Sequence, residues 1–269
     1  MMHRGAFFWG AVLILAGALL FLNNMGWLDV DVWKVLLPSI VILAGLMTLW
    51  GATRPKPPRT QQAVQVPMDG ARRANVRVRF GAGRLSVEGG ADAGQALVGT
   101  FRGGVEQAHR LSGESLGMDF SVPSDFFLQF VSPWTWWGGE RLEWNMRVTE
   151  TIPVSMDVES GASEVRMDLS RLQLDKLRLA AGASSIEMVM PASAVHTEAR
   201  IESGAASLML DIPEGVAARI EVEGGLADVR VNPSRFPKVG SIHQSPDYET
   251  AAHRLDLHIE AGAASVNVR

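Results

Sequence analysis

Two hydrophobic patterns divide this chain. Up to residue 53 the apolar residues run together, whereas from about residue 66 they alternate with polar ones. Gly5 to Leu28 carries no charge, and its first part, Ala6 to Leu22, is almost wholly apolar. A second uncharged run extends from Val35 to Thr53. Each is close to the roughly 20 residues that a helix needs to cross about 30 Å of hydrocarbon. The pattern therefore predicts a two-helix transmembrane hairpin over residues 1–53, with Asn23 to Lys34 as its connection, Gly26 as the turn residue and Pro38 in the first turn of the second helix. A cleaved signal peptide is the alternative for the first run. It is disfavoured by the lack of a small-x-small site near residue 24 and by the second apolar run so soon after.

Four of the eight tryptophans, Trp9, Trp27, Trp33 and Trp50, fall near the expected headgroup levels and are read as membrane-interface anchors. Arg4 precedes the first helix, and Arg54, Lys56 and Arg59 follow the second, while the connection holds only Lys34. The positive-inside rule then predicts that both termini are cytoplasmic. Residues 54–65, with Pro55, Pro57 and Pro58, read as a stiff, extended, basic linker.

Residues 66–269 carry a repeat. Alternating segments meet at Gly81, Gly161, Gly182, Gly204, Gly225 and Gly262, and most of these glycines are followed by Ala. Gly161 to Gly182 is 21 residues, Gly182 to Gly204 is 22 and Gly204 to Gly225 is 21; the interval then lengthens to 37. After the turns, Val165, Met167 and Leu169 alternate with Glu164, Arg166 and Asp168; Ile186, Met188 and Met190 repeat this, as do Leu208, Leu210 and Ile212. Before the turns, Val195, Thr197, Ala199 and Ile201 alternate with His196, Glu198, Arg200 and Glu202. Val216, Ala218, Ile220 and Val222 repeat that pattern one unit on. Period two marks strands with one buried face.

A recurring glycine permits a tight corner and close backbone approach. Stacked units then bury an interior that one unit could not bury alone. The predicted class is mainly β: a β-solenoid of roughly 21-residue Gly-Ala turn repeats, preceded by the helical hairpin. A β-sandwich is the competing fold. Two stretches interrupt the rhythm. Residues 103–139, with Phe126 to Val131 and Trp134 to Trp137, read as a lid over the first coil, or alternatively as a loop at the bilayer interface. Residues 232–252, with Pro233, Pro237 and Pro246, read as a surface loop.

Charge narrows the partners. Residues 1–59 sum to +3, which leaves −7 for the rest of a chain whose net charge is −4. An acidic body without a Lys/Arg cluster argues against nucleic acid. The absence of cysteine removes thiol, disulfide and Cys-zinc chemistry. A metal site from His243, His253 and His258 is the one conceivable metal constellation, and solvated strand histidines are the commoner outcome. Glu198, Glu202, Glu221 and Glu223 could form a glycosidase-like acid pair, but Arg200 and Arg219 are interspersed with them, as on a solvated sheet face with cross-strand ion pairs. Gly81-Ala-Gly83 precedes a strand, so it is not a nucleotide fingerprint. No catalytic residue, cofactor, metal or small-molecule substrate is predicted, and the chain reads as a non-enzyme.

The hairpin, with Leu22-Asn-Asn-Met-Gly-Trp-Leu28 and Trp33-x4-Pro38, resembles the transmembrane region of LiaI/LiaF-like bacterial proteins. The body resembles toast-rack domains, through Ser160-Gly-Ala-Ser163, Leu169-Ser170, Gly182 to Pro191, Ser203-Gly-Ala-Ala-Ser207 through Pro213, and Gly224-Gly-Leu226. This resemblance implies a bacterial cytoplasmic-membrane protein of the cell-envelope stress response that restrains a membrane histidine kinase. Gly10, Gly17 and Gly45 would permit close packing against a partner's helices. The competing reading is a structural, adhesin-like solenoid that self-associates coil to coil. A carbohydrate-active enzyme using Glu198 or Glu221 is a third.

Overall fold

The computed structural model describes residues 61–123, 142–225 and 228–269. The predicted hairpin, its four interface tryptophans and the stretch Phe126 to Trp137 lie outside them. Among the described residues there is no α-helix, hence none long enough to cross a membrane. The strands are β1 (Gln61–Pro67), β2 (Arg73–Phe80), β3 (Gly83–Gly89), β4 (Gln95–Arg102), β5 (Glu106–Ser112), β6 (Ser115–Ser121) and β7 (Leu142–Val148). There follow β8 (Val154–Ser160), β9 (Ser163–Asp168), β10 (Leu174–Val189), β11 (His196–Asp211), β12 (Ala217–Gly224) and β13 (Asp228–Val231). β14 (Lys238–Val239), β15 (Ile242–Gln244) and β16 (Arg254–Val268) complete the set. β1 starts at Gln61, inside the stretch read as linker, because Gln61 to Val66 pair with β4.

Parallel strands form two stacks joined at corners. In the first, β6, β2, β8, the first half of β10, the first half of β11, the first half of β16 and β12 lie side by side in that order. In the second, β7, β3, β9, the second halves of β10, β11 and β16, and β13 do the same. The rungs of β2–β3, β8–β9, β10, β11 and β16 cross from one stack to the other through a glycine corner, at Gly81, Gly161, Gly182, Gly204 and Gly262. Period-two alternation puts one row of each strand inward, and a one-residue slip would turn that row out to solvent. Val78, Val158, Leu179, Ile201 and Ile259 form one inward row; Leu85, Val165, Ile186, Leu208 and Val266 form another, and all are buried. Leu169, Leu172, Met190, Ala194, Ile212 and Val216 in the returning loops are buried too, and they close the rung. Val195 and Val222 are the exceptions among the predicted inward residues. Val222, near the end of β12, is only half-buried. Val195 lies just before β11 and is 71% exposed.

The rungs do not stack in sequence order. β16, the last strand of the chain, lies between β11 and the rung formed by β12 and β13. The 21-residue interval from Gly204 to Gly225 therefore joins two rungs that are not neighbours. The excursion of residues 232–252 is also more than a surface loop. Its β15 pairs with β12 at Arg219 and Ile220, β14 pairs with β15, and Phe236 and Tyr248 are buried, so it caps the end of the first stack.

At the opposite end, residues 106–121 are strands rather than part of a lid: β6 occupies a rung position beside β2, and β5 folds back on it. β4 adds antiparallel to β7, and β1 antiparallel to β4. Trp144 closes the interior there, with Phe80 at 5.1 Å and Phe101 at 5.2 Å between ring centroids, both edge-on, and Phe101 stacked on Phe120 at 5.6 Å. β6 belongs to the first stack and β7 to the second.

Candidate functional site

The outward row of the first stack is a ladder of charge built by register. Asp119, Arg77, Asp157, Arg178, Arg200, His258 and Glu221 are successive neighbours across seven strands. Neighbours of opposite sign join: Arg77 lies 3.2 Å from Asp157 and 4.0 Å from Asp119. One row over, Lys176 lies 3.1 Å from Glu198. A shallow groove of about 860 Å³ runs along this face, lined among others by Asn75, Arg77, Lys176, Arg200 and His258. Pairs this exposed contribute about 0–1 kcal/mol each. Their effect is to leave a polar, largely self-neutralised plate.

The row nearest the corners breaks that neutrality. Glu202, Glu260 and Glu223 are direct neighbours in register, and like charges at strand spacing repel. Positive groups from the adjacent row compensate. Arg200 pairs with both Glu202 and Glu260, and Arg178 lies 3.6 Å from Glu202. His258 places Nδ1 3.2 Å from Glu221 and Nε2 3.0 Å from Glu260. The hydrogen bond to Glu260 holds its pKa above the usual imidazole value against the opposing effect of burial, with help from Glu221. A second groove of about 1110 Å³ follows the corners, floored by Gly81, Gly182, Gly204 and Gly262 and edged by Glu159 and Glu202.

The predicted turn glycines meet in space where the rungs do. A Cβ on Gly161 would lie 2.6 Å from the Gly81 carbonyl oxygen, one on Gly182 3.1 Å from that of Gly161, and one on Gly204 3.4 Å from that of Gly182. A Cβ on Gly262 would lie 2.6 Å from the Gly204 oxygen, whereas one on Gly225 would meet nothing within 4 Å. The corner between β2 and β3 has a further constraint that the spacing did not single out: Gly83 has φ +140°, and a Cβ there would collide with the Leu142 carbonyl oxygen.

The histidine triplet does not assemble. Nδ1 of His243 faces the Phe236 carbonyl and that of His253 the Ala194 carbonyl, while His258 faces carboxylates. Glu221, Glu223 and His258 do bring ligand atoms within 4.8 Å of one another. Carboxylates at both ring nitrogens of His258 favour the imidazolium, which has no lone pair to give a metal. Of the four carboxylates considered as an acid pair, Glu198 and Glu202 are engaged by Lys176 and by Arg178 and Arg200. The acidic row was hidden from sequence reasoning because β16 comes between β11 and β12 only in the fold. In the cap, Tyr248 donates to Asp256 at 2.6 Å, and Arg219 sits 4.3 Å over its ring. Burial and that bond push the Tyr248 phenol up to about 12.

Comparisons with known proteins agree with this architecture. Residues 7–49 match the LiaI-LiaF-like transmembrane region, so the N-terminal part is membrane-embedded. Residues 55–211, more than half of the chain, match the N-terminal domain of toast_rack, DUF2154. A Clostridium sporogenes structure described as a cell adhesion protein shares the fold at 22% identity and a TM-score of 0.70, covering 78% of this chain and 99% of its own. A Bacteroides fragilis structure described as an adhesin has 8% identity and a TM-score of 0.31 over 80% and 100% of the two chains, too slight a likeness to carry an argument. No curated protein matches the sequence significantly. Parallel rungs behind a LiaI-LiaF-like membrane region place this chain in the toast_rack (DUF2154) family.

Proposed function

We propose that this protein is a membrane-anchored, non-enzymatic regulator or scaffold of the bacterial cell-envelope stress response, acting by contact with a membrane sensor kinase. The observation that carries the reading is the order of two matches in one chain, a LiaI-LiaF-like membrane region directly followed by a toast_rack domain. The charged ladder supports it, because its acids and bases are engaged with one another and not with an open catalytic cleft. In this reading residues 1–53 form a two-helix hairpin with both termini cytoplasmic and Trp9, Trp27, Trp33 and Trp50 at the interfaces. The glycine corners make the toast_rack body a rigid β-solenoid platform.

Affinity capture of the full chain from native membranes tests this, combined with a stress-promoter reporter in a deletion strain. Recovery of a sensor kinase together with altered reporter output supports the proposal. Capture without any kinase, and unchanged output, overturns it. The chain has no cysteine, so a single engineered thiol at exposed Ser112, labelled with a membrane-impermeant reagent in intact cells, reads the topology. Protection agrees with a cytoplasmic body. Unlimited coil-to-coil stacking, the competing structural role, is disfavoured because β14 and β15 cover the end of one stack and β1, β4 and β5 add antiparallel strands at the other.

A further inference from the structure

Among the described residues, the end rung is capped on one stack only. On the first stack, β15 and β14 extend the sheet beyond β12. On the second, β13 pairs with β16 along one edge, and among the described residues no strand pairs with its other edge. Its direction of hydrogen bonding follows from one contact: the N–H of Asn232 donates to the Val268 carbonyl at 3.1 Å. In a parallel ladder, alternate residues point both backbone groups at the same neighbour. Arg230 and Asp228 therefore share the orientation of Asn232, and Val229 and Val231 aim their N–H and C=O groups at the open edge. Val229 stands in register with buried Val266, so its side chain belongs to the inward row, yet it is 37% exposed because the row stops there. Asp228 and Arg230 lie on the other face, 2.9 Å apart.

We propose that β13 is a self-pairing edge at which a second copy of this chain adds antiparallel about a twofold axis through Val229. Val229 then faces its counterpart as a hydrogen-bonded pair, with two N–H···O=C bonds across the axis. In this register Asp228 stands opposite the partner's Arg230, and Arg230 opposite the partner's Asp228, so the charge complementarity is twofold. Centring on Arg230 would oppose like charges. Centring on Val231 would bring Pro233, which has no N–H, opposite the outward groups of Val229. The pairing joins the two open interiors and buries both Val229 side chains. It also closes on itself, since the twofold axis uses the same edge of both copies. Confinement of both copies to one membrane raises their effective concentration and favours a short interface.

The test uses the full chain in native membranes, where engineered thiols stand alone because the chain has no cysteine. Hydrogen-bonded antiparallel partners have Cα atoms about 5.5 Å apart, within disulfide reach. V229C is therefore expected to form a covalent dimer under mild oxidation, and L111C, an exposed position on β5 at the other end, is not. In the V229C background, D228R or R230D alone should lower the dimer yield about tenfold by opposing like charges twice, and the double reversal D228R/R230D should restore it. Circular dichroism of each purified variant confirms the fold. A V229C yield no higher than that of L111C overturns the proposal. So does a folded double reversal that stays as poor as the singles. Neither result bears on kinase capture, so this inference and the regulatory reading fail separately.

Discussion

A Cβ placed on Gly262 would lie 2.6 Å from the carbonyl oxygen of Gly204, although Gly225 comes between them in the chain. That contact reports the arrangement of the fold: the last strand of the protein is threaded between two earlier rungs, and its corner sits on the corner of β11. The approach is so close that a methyl group has no room. Glycine is required there by the neighbouring rung more than by its own backbone conformation.

Gly161→Ala should destabilise the domain by about 1–3 kcal/mol, because the methyl would strike the Gly81 oxygen and force the rungs apart. Gly225→Ala, with nothing within 4 Å of its Cβ position, should stay within about 0.5 kcal/mol of the parent or gain slightly from a stiffer unfolded chain. Urea unfolding followed by far-ultraviolet circular dichroism separates the two. Equal losses at both positions would mean that the corner stack is not what demands glycine.

Phe236 tests whether residues 232–252 are a cap. Its side chain is fully buried, so Phe236→Ala should cost about 3–5 kcal/mol. A loop merely resting on the surface would lose almost nothing. A change in the thermal midpoint indistinguishable from zero would return this excursion to the status of a loop.

His258 predicts how stability varies with pH. Its pKa is higher in the folded protein than the ordinary 6.5, chiefly through Glu260. The folded state thus binds the proton more tightly than the unfolded state. The stabilisation is fully present below the unfolded value and is lost as pH rises through the raised folded value. Facing groups are Arg200 and Glu202 on β11, Asp256 and Glu260 on β16, and Arg219, Glu221 and Glu223 on β12. His258→Gln should flatten the thermal-stability profile across that window. A variant whose profile still falls like the parent's would remove His258 as the cause.

Tyr248→Phe deletes a single hydroxyl and its bond to Asp256, with an expected loss of about 1 kcal/mol. Spectrophotometric titration of this sole tyrosine should show ionisation near about 12, with the ordinary 10 appearing only after unfolding. Because the folded value is the higher one, stability contributed by the neutral phenol is lost as pH climbs from 10 towards 12. Titration at the ordinary value in the native protein would contradict the buried placement.

Much of the architecture is legible in single residues. Val165, Met167, Ile186, Met188, Leu208 and Leu210 are inward and buried, as their alternation with charged neighbours requires, and Glu198 and Arg200 are outward. Val195 failed that rule since alternation holds only within a strand, and β11 begins one residue later. The two excursions were visible as interruptions, but their roles were not. Strand β6 and the capping hairpin are made of short segments whose partners lie far away in sequence. The charged ladder was half legible: the outward residues could be named, while their neighbours could not.

Side-chain direction along a strand has a period of two residues, a local property, and so the chain alone marked the long alternating strands and their inward rows. It also determined the apolar N-terminal region, because the hydrocarbon thickness sets a length that any sequence displays openly. Which rung lies against which was decided only in three dimensions. Rungs of one repeat offer nearly equivalent edges, so sequence order cannot rank them. Here the hairpin of β14 and β15 takes the outer edge of β12, and β16 pairs along the inner edge, between β12 and β11. That placement brought Glu260 between Glu202 and Glu223, set His258 beside Glu221, and left β13 without a strand partner at its outer edge among the described residues.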